Sequence, residues 1–173
     1  LTQDINIKHV KWLKENYKGK IIYMSSCSVY GKNDNVLTED DPIHPLSEYA
    51  ASKVEAEKIL ADYPDVLIYR LGTLYGIGDR FSRPRINLVV NILTLKAVIG
   101  ESLHVFGGDQ WRPIVNVRDV ALAIKYGIEN NLNGIFNIAE RNIRIIDLAE
   151  EIIKIVPGEI NQTEVLFEDK RNY

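Results

Sequence analysis

A single cysteine, Cys27, in 173 residues rules out an internal disulfide. A lone thiol fits a reducing compartment, and the cytoplasm is the expected location. Long apolar runs are also missing. No stretch approaches the ~20 residues that cross a bilayer, and Leu1 to Asn6 lacks signal-peptide character, so no membrane partner is expected. Basic residues are slightly outnumbered, 21 against 24 acidic, and the formal charge of -3 gives no reason to expect a nucleic-acid partner. Three histidines, His9, His44 and His104, share no ligand spacing, and no metal is expected. Neither Ser25 nor Ser26 sits in a Gly-x-Ser-x-Gly elbow, which argues against a hydrolase. There is no initiator Met, so residues upstream of Leu1 are expected.

What remains is an ordinary globular composition, 46% hydrophobic and 26% charged, with enough apolar side chains to bury a core. Apolar spacing predicts helices over 4–16, 48–63, 87–97, 117–129 and 146–156. Ser47 is a plausible N-cap for the second and Pro64 ends it. Short β-branched runs predict strands at 20–24, 66–69, 103–106, 113–116 and 135–138, with a weak last strand at 164–167. Residues 31–46, with Gly31, Pro42 and Pro45, read as a long loop of the kind that often carries function. Strands alternating with helices imply parallel pairing and an α/β layered fold.

Tyr49 and Lys53 stand four residues apart, hence on one helical face. A free tyrosine, with a pKa of about 10, is a poor base at neutral pH unless positive charge stabilises its phenolate. One charge about 4 Å away, at an effective dielectric near 20, is worth roughly 4 kcal/mol, or about 3 pKa units before desolvation opposes it. The pair can therefore work at neutral pH, although the same spacing also occurs on an ordinary solvated helix face.

The surroundings of the pair are more specific. A buried-type strand runs into Ser25-Ser26-Cys27-Ser28-Val29-Tyr30-Gly31, then comes Tyr49-Ala-Ala-Ser-Lys53, then Arg70-Leu-Gly-Thr-Leu-Tyr75-Gly76. This order resembles the motif series of extended short-chain dehydrogenases, the nucleotide-sugar epimerase and dehydratase family. Later segments, Gly107-Gly-Asp-Gln-Trp-Arg112, Val117-Arg-Asp119-Val-Ala121 and Phe136-Asn-Ile-Ala139, are similar to that family's landmarks.

The resemblance implies the C-terminal part of a Rossmann-type doubly wound parallel sheet plus a small α/β substrate-binding domain. Residues 1–75 would belong to the dinucleotide-binding domain and 76–173 mainly to the substrate-binding part, with 113–139 returning to the Rossmann sheet. It assigns catalysis to Ser26, Tyr49 and Lys53, and cofactor contacts to Ser25, Tyr49, Lys53 and Leu71. Substrate contacts fall to Asn6, Thr73, Asn87, Leu88, Arg112 and Arg171. Arg112 matches an arginine that grips the substrate diphosphate, a task suited to a planar fork that is always charged. The cofactor implied is NAD, with NADP left open, and the implied partners are a nucleotide sugar and a second copy of the chain, joined through a helix bundle.

Two departures shape the reading. The family's Gly-rich phosphate turn is absent, since Gly76-Ile-Gly78 is the one Gly-x-Gly and Phe81 takes the third position. A chain without that turn holds no complete cofactor site. Family dehydratases carry Thr-Asp-Glu where Ser26-Cys27-Ser28 stands, and Cys27 and Ser28 cannot replace that carboxyl pair in water elimination. A 4-epimerase is therefore expected, with a nucleotide-sugar reductase or dehydratase, or a non-catalytic dinucleotide sensor, as alternatives. Thr73 and Pro113 stand where Asn and Asp are more usual, which leaves the sugar open.

Overall fold

The computed structural model describes residues 2–33, 35–78, 81 and 85–164. Helix α1 (Thr2–Asn16) leads to strand β1 (Ile21–Ser26), a 3₁₀ turn (Cys27–Tyr30) and helix α2 (Glu48–Leu60), followed by β2 (Val66–Leu71) and β3 (Thr73–Tyr75). The second half runs α3 (Val89–Val98), β4 (Leu103–Phe106), β5 (Trp111–Asn116), α4 (Val117–Glu129), β6 (Gly134–Ile138), β7 (Arg141–Arg144), α5 (Ile145–Ile155) and β8 (Ile160–Thr163).

Strands β1, β2 and β6 form a parallel sheet with β2 in the middle. All six residues of β2 are buried. Such a strand is covered on both faces, so it is apolar except at Arg70, whose charge needs a buried partner. On one face α1 and α2 supply Val10, Ala56 and Leu60 against Ile21, Val66 and Ile68. On the other, Leu67, Tyr69 and Leu71 pack with Val115 of β5 and Val120 of α4. A second sheet joins β3, β5 and β7, and β4 pairs with β8. Leu103, Val105, Ile114 and Ile143 from those strands close over Leu93 of α3 and Leu148 of α5. Of residues 113–139, β6 lies in the first sheet, whereas β5 pairs with β3 and β7.

Helix α2 starts where its cap predicts, because the Ser47 hydroxyl accepts from the Ala50 amide at 3.1 Å. It ends at Leu60, three residues before the expected Tyr63. The expected last strand moves forward, to β8, because β4 needs a parallel partner and Leu103 registers with Ile160. Glu164 follows that strand, and 165–167 lie outside the described residues. The short strands β3 and β7 fall in segments too polar or too brief to show periodicity. Gly31 has φ +71°, and a Cβ there would sit 2.0 Å from the His44 carbonyl oxygen. That close approach brings His44 back onto the 3₁₀ turn, its amide donating to the Val29 carbonyl at 3.0 Å.

Candidate active site

The carboxyl ends of β1 and β2 open onto a cleft of about 1150 Å³, walled also by β3, α2 and the start of α3. This is where open α/β sheets place ligands. The fold brings Ser25, Ser26, Tyr49, Lys53, Leu71, Thr73 and Leu88 onto its wall.

Each polar member is held by its own element. Tyr49 lies in the first turn of α2 and is 46% exposed, open to the cleft. Lys53, one turn on, donates to the Met24 carbonyl at 2.8 Å, and its ammonium lies 5.6 Å from the centre of the Tyr49 ring. Burial pulls the Lys53 pKa below its ordinary value, and the negative charge of Glu57, a further turn along α2, works against that fall. Ser26 caps the 3₁₀ turn, where its oxygen accepts from the Ser28 amide at 3.2 Å and from the Ser28 hydroxyl at 2.8 Å. With its oxygen engaged from within the turn, the Ser26 proton is available to an oxygen in the cleft.

Other expected contacts lie elsewhere. Asn6, on α1, donates to the Ser52 hydroxyl at 2.9 Å, and Ser52 donates to the Tyr49 carbonyl at 2.7 Å, so Asn6 ties α1 to the turn that carries Tyr49. Asn87 accepts from the Arg85 guanidinium at 3.3 Å, and it is Arg85 that reaches the wall. Arg112 is buried in β5, donates to the Trp111 carbonyl at 2.7 Å, and is not among the residues lining the cleft. Its strand neighbours Trp111 and Pro113 instead line a smaller cavity of about 330 Å³ with Cys27 and Tyr30. Arg171 lies outside the described residues.

Behind the wall is a buried cluster that the motif reading did not single out. The Arg70 guanidinium meets the Glu57 carboxylate through Nη2 at 2.8 Å and Nε at 3.2 Å, and donates through Nη1 to the Tyr30 hydroxyl at 2.8 Å. Ser25 donates to Oε1 of Glu57, the oxygen that also accepts from the Arg70 Nε, and Tyr30 donates to Asn137 Oδ1 at 2.8 Å. The cluster therefore joins α2, β1, β2, β6 and the 3₁₀ turn at one point. Its signal was in the sequence: an arginine inside the apolar run Val-Leu-Ile-Tyr-Arg-Leu demands a buried partner.

Cys27 is buried, donates to the Arg70 carbonyl at 3.2 Å, and has its thiol pushed up to about 12 by burial. A thiol of that kind is inert. We expect the native protein to resist Ellman's reagent at pH 8 and to react within seconds once unfolded in guanidinium. Rapid reaction in the native state would contradict the burial.

Among the described residues no helix is long and apolar enough to cross a membrane. The sequence model of the NAD dependent epimerase/dehydratase family matches residues 4–139, well over half of the chain. A UDP-glucose 4-epimerase of Lactobacillus helveticus is 26% identical over 90% of the chain and 52% of its own length. The structure of UDP-glucuronic acid 4-epimerase from Bacillus cereus, in complex with UDP-glucuronic acid and NAD, superposes with a TM-score of 0.79 at 25% identity, covering 97% of this chain and 57% of that one. For fold alone, dTDP-glucose 4,6-dehydratase of Bacillus anthracis, in complex with NAD, gives a TM-score of 0.80 at 22% identity over 98% of this chain and 58% of that one. The chain spans about half the length of the curated relatives it matches.

Proposed function

We propose a reaction for a chain that belongs to the NAD-dependent epimerase/dehydratase family: inversion of a nucleotide sugar at C4 through a transient 4-keto sugar. The observation that carries it is the Lys53 ammonium 5.6 Å from the Tyr49 ring, on the wall of a cleft shared with Ser26. Tyr49, as the phenolate, takes the proton of the sugar hydroxyl, and Lys53 favours that phenolate by its charge. Its place in the first turn of α2 adds the positive end of the helix dipole. Ser26 donates to the same sugar oxygen. Tyr49 then returns its proton to the keto oxygen as the alcohol re-forms.

The residues present fit the nicotinamide end of NAD. Lys53 uses one of its ammonium donors on Met24 and has two more to offer a ribose, beside Ser25 and Leu71. NAD, when bound, supplies the reversible hydride transfer at the sugar carbon, so no net oxidation or reduction remains. The chain holds no Gly-rich phosphate turn and spans about half the length of its curated relatives, so the activity is proposed for a polypeptide that also supplies that turn. Thr73 and Leu88, both on the cleft wall, are assigned to substrate, Asn87, Arg112 and Arg171 keep that assignment on the motif series alone, Asn6 supports Tyr49, and the division near residue 75 separates cofactor-side from substrate-side residues. A cytoplasmic homodimer completes the reading. Trp12 of α1, 61% exposed on the helix beside α2, supports an interface there.

The test is turnover. Incubated with NAD and UDP-glucose, UDP-galactose or dTDP-glucose, a polypeptide that includes the Gly-rich turn is expected to form an epimer with no net change at the reduced-nicotinamide absorbance band, whereas the 173 residues alone are expected to be inactive. Net consumption of reduced cofactor would make it a reductase, loss of water a dehydratase, and no turnover of any nucleotide sugar a non-catalytic binder.

A further inference from the structure

Lys53 does not face Tyr49 alone. Its ammonium lies over the ring of Tyr23, 4.8 Å from the ring centre, nearer than it lies to Tyr49. Tyr23 stands on β1, directly before Met24, whose carbonyl takes the Lys53 hydrogen bond. Side chain and backbone of one strand therefore hold the cation from two directions, while α2 presents Tyr49 from a third. The Tyr23 hydroxyl is buried and has no hydrogen-bond partner among the described residues. Burial, with the nearby Tyr49 and Glu57, raises its pKa well beyond any working pH, so it stays a neutral phenol. A buried hydroxyl without a partner costs stability rather than adding to it. What Tyr23 offers that an aliphatic side chain cannot is the negative face of its ring.

From this geometry we infer that Tyr23 is a positioning residue, whose ring face aims the Lys53 ammonium at Tyr49 and keeps it charged by a cation–π contact. Its catalytic meaning rests on the function proposed above; the contact itself does not. A ring quadrupole stabilises the ammonium form over the neutral amine, so it raises the Lys53 pKa and opposes the burial that lowers it. The other groups facing Lys53 are Tyr49 and Glu57 of its own helix, with Arg70 of β2 reaching it only through Glu57. Glu57 pulls in the same direction as the ring. Arg70 is paired with that carboxylate, which blunts its pull and makes the ring's share matter.

The test is the titration of Lys53 in the folded protein, followed by competitive acylation with acetic anhydride across pH and read by mass spectrometry of the peptide carrying residue 53. Tyr23→Phe keeps the ring and discards the orphan hydroxyl, so its midpoint is expected to match wild type. Tyr23→Leu removes the π face and is expected to lower the midpoint by about half to one pH unit. A ring-fluorinated phenylalanine placed at position 23 keeps the shape while draining the face, and gives the same fall if the leucine variant does not fold. An unchanged midpoint in the fluorinated variant, or an equal fall in Tyr23→Phe, would overturn the inference. Either result leaves the role of Tyr49 standing, whereas full activity in Tyr49→Phe would remove that role and leave this titration as it is.

Discussion

Tyr49→Phe is expected to lower kcat by about 10² to 10⁴-fold on whichever nucleotide sugar the protein turns over, with KM changed no more than a few-fold. The substitution removes one oxygen and keeps the ring. Tyr49 is 46% exposed at the mouth of the cleft, so little packing depends on the hydroxyl and the fold should be indifferent to its loss. Binding of the nucleotide end should be equally untouched. A selective fall in kcat follows only if the phenol handles the proton in the transition state. Thermal unfolding within a degree of wild type, measured beside the kinetics, separates this from general damage. If turnover stayed within twofold, another group would be the base and the reading of the Tyr49 and Lys53 pair would fail.

That pair was legible in the sequence because four-residue spacing on a capped helix has one geometric outcome. Ser47 sets the start of α2, and Tyr49 and Lys53 then fall on one face whatever follows. The strands β1 and β2 were equally legible from their β-branched runs. Legibility ended where contacts are long-range. Strand β7 owes its existence to β5 alongside it, and β8 to β4, and neither carries a pattern of its own. Arg112 illustrates the same limit within the site. Its place in a motif marked it for an anion, while strand alternation in β5 turns Trp111 and Pro113 toward the small cavity and buries Arg112 between them. Motif identity reports what a residue has been used for, and only the register of its strand reports which way it points.

Arg70→Ala should be the most destabilising single change in the molecule's first sheet. Arg70 is 2% exposed and Glu57 5%, and between them they satisfy Ser25, Tyr30 and the Glu39 carbonyl. Deleting the guanidinium leaves a carboxylate buried without its cation, a loss of about 3–5 kcal/mol. The pair itself contributes far less than that figure, because burying both charges has already cost most of their attraction. Hence the double variant Arg70→Met with Glu57→Leu should recover the larger part of the loss, and the coupling between the two sites should be strongly non-additive. Urea unfolding of the two single variants and the double, compared at constant m-value, measures it. The double variant separates two roles for the cluster. Because Ser25 and Tyr30 bracket Ser26 in the chain and both bond into this ion pair, a protein with its stability restored but its turnover still depressed would show that the charges hold the serine in register. Turnover restored together with stability would mean that the ion pair serves the fold alone, and that the apolar pair positions β1 equally well.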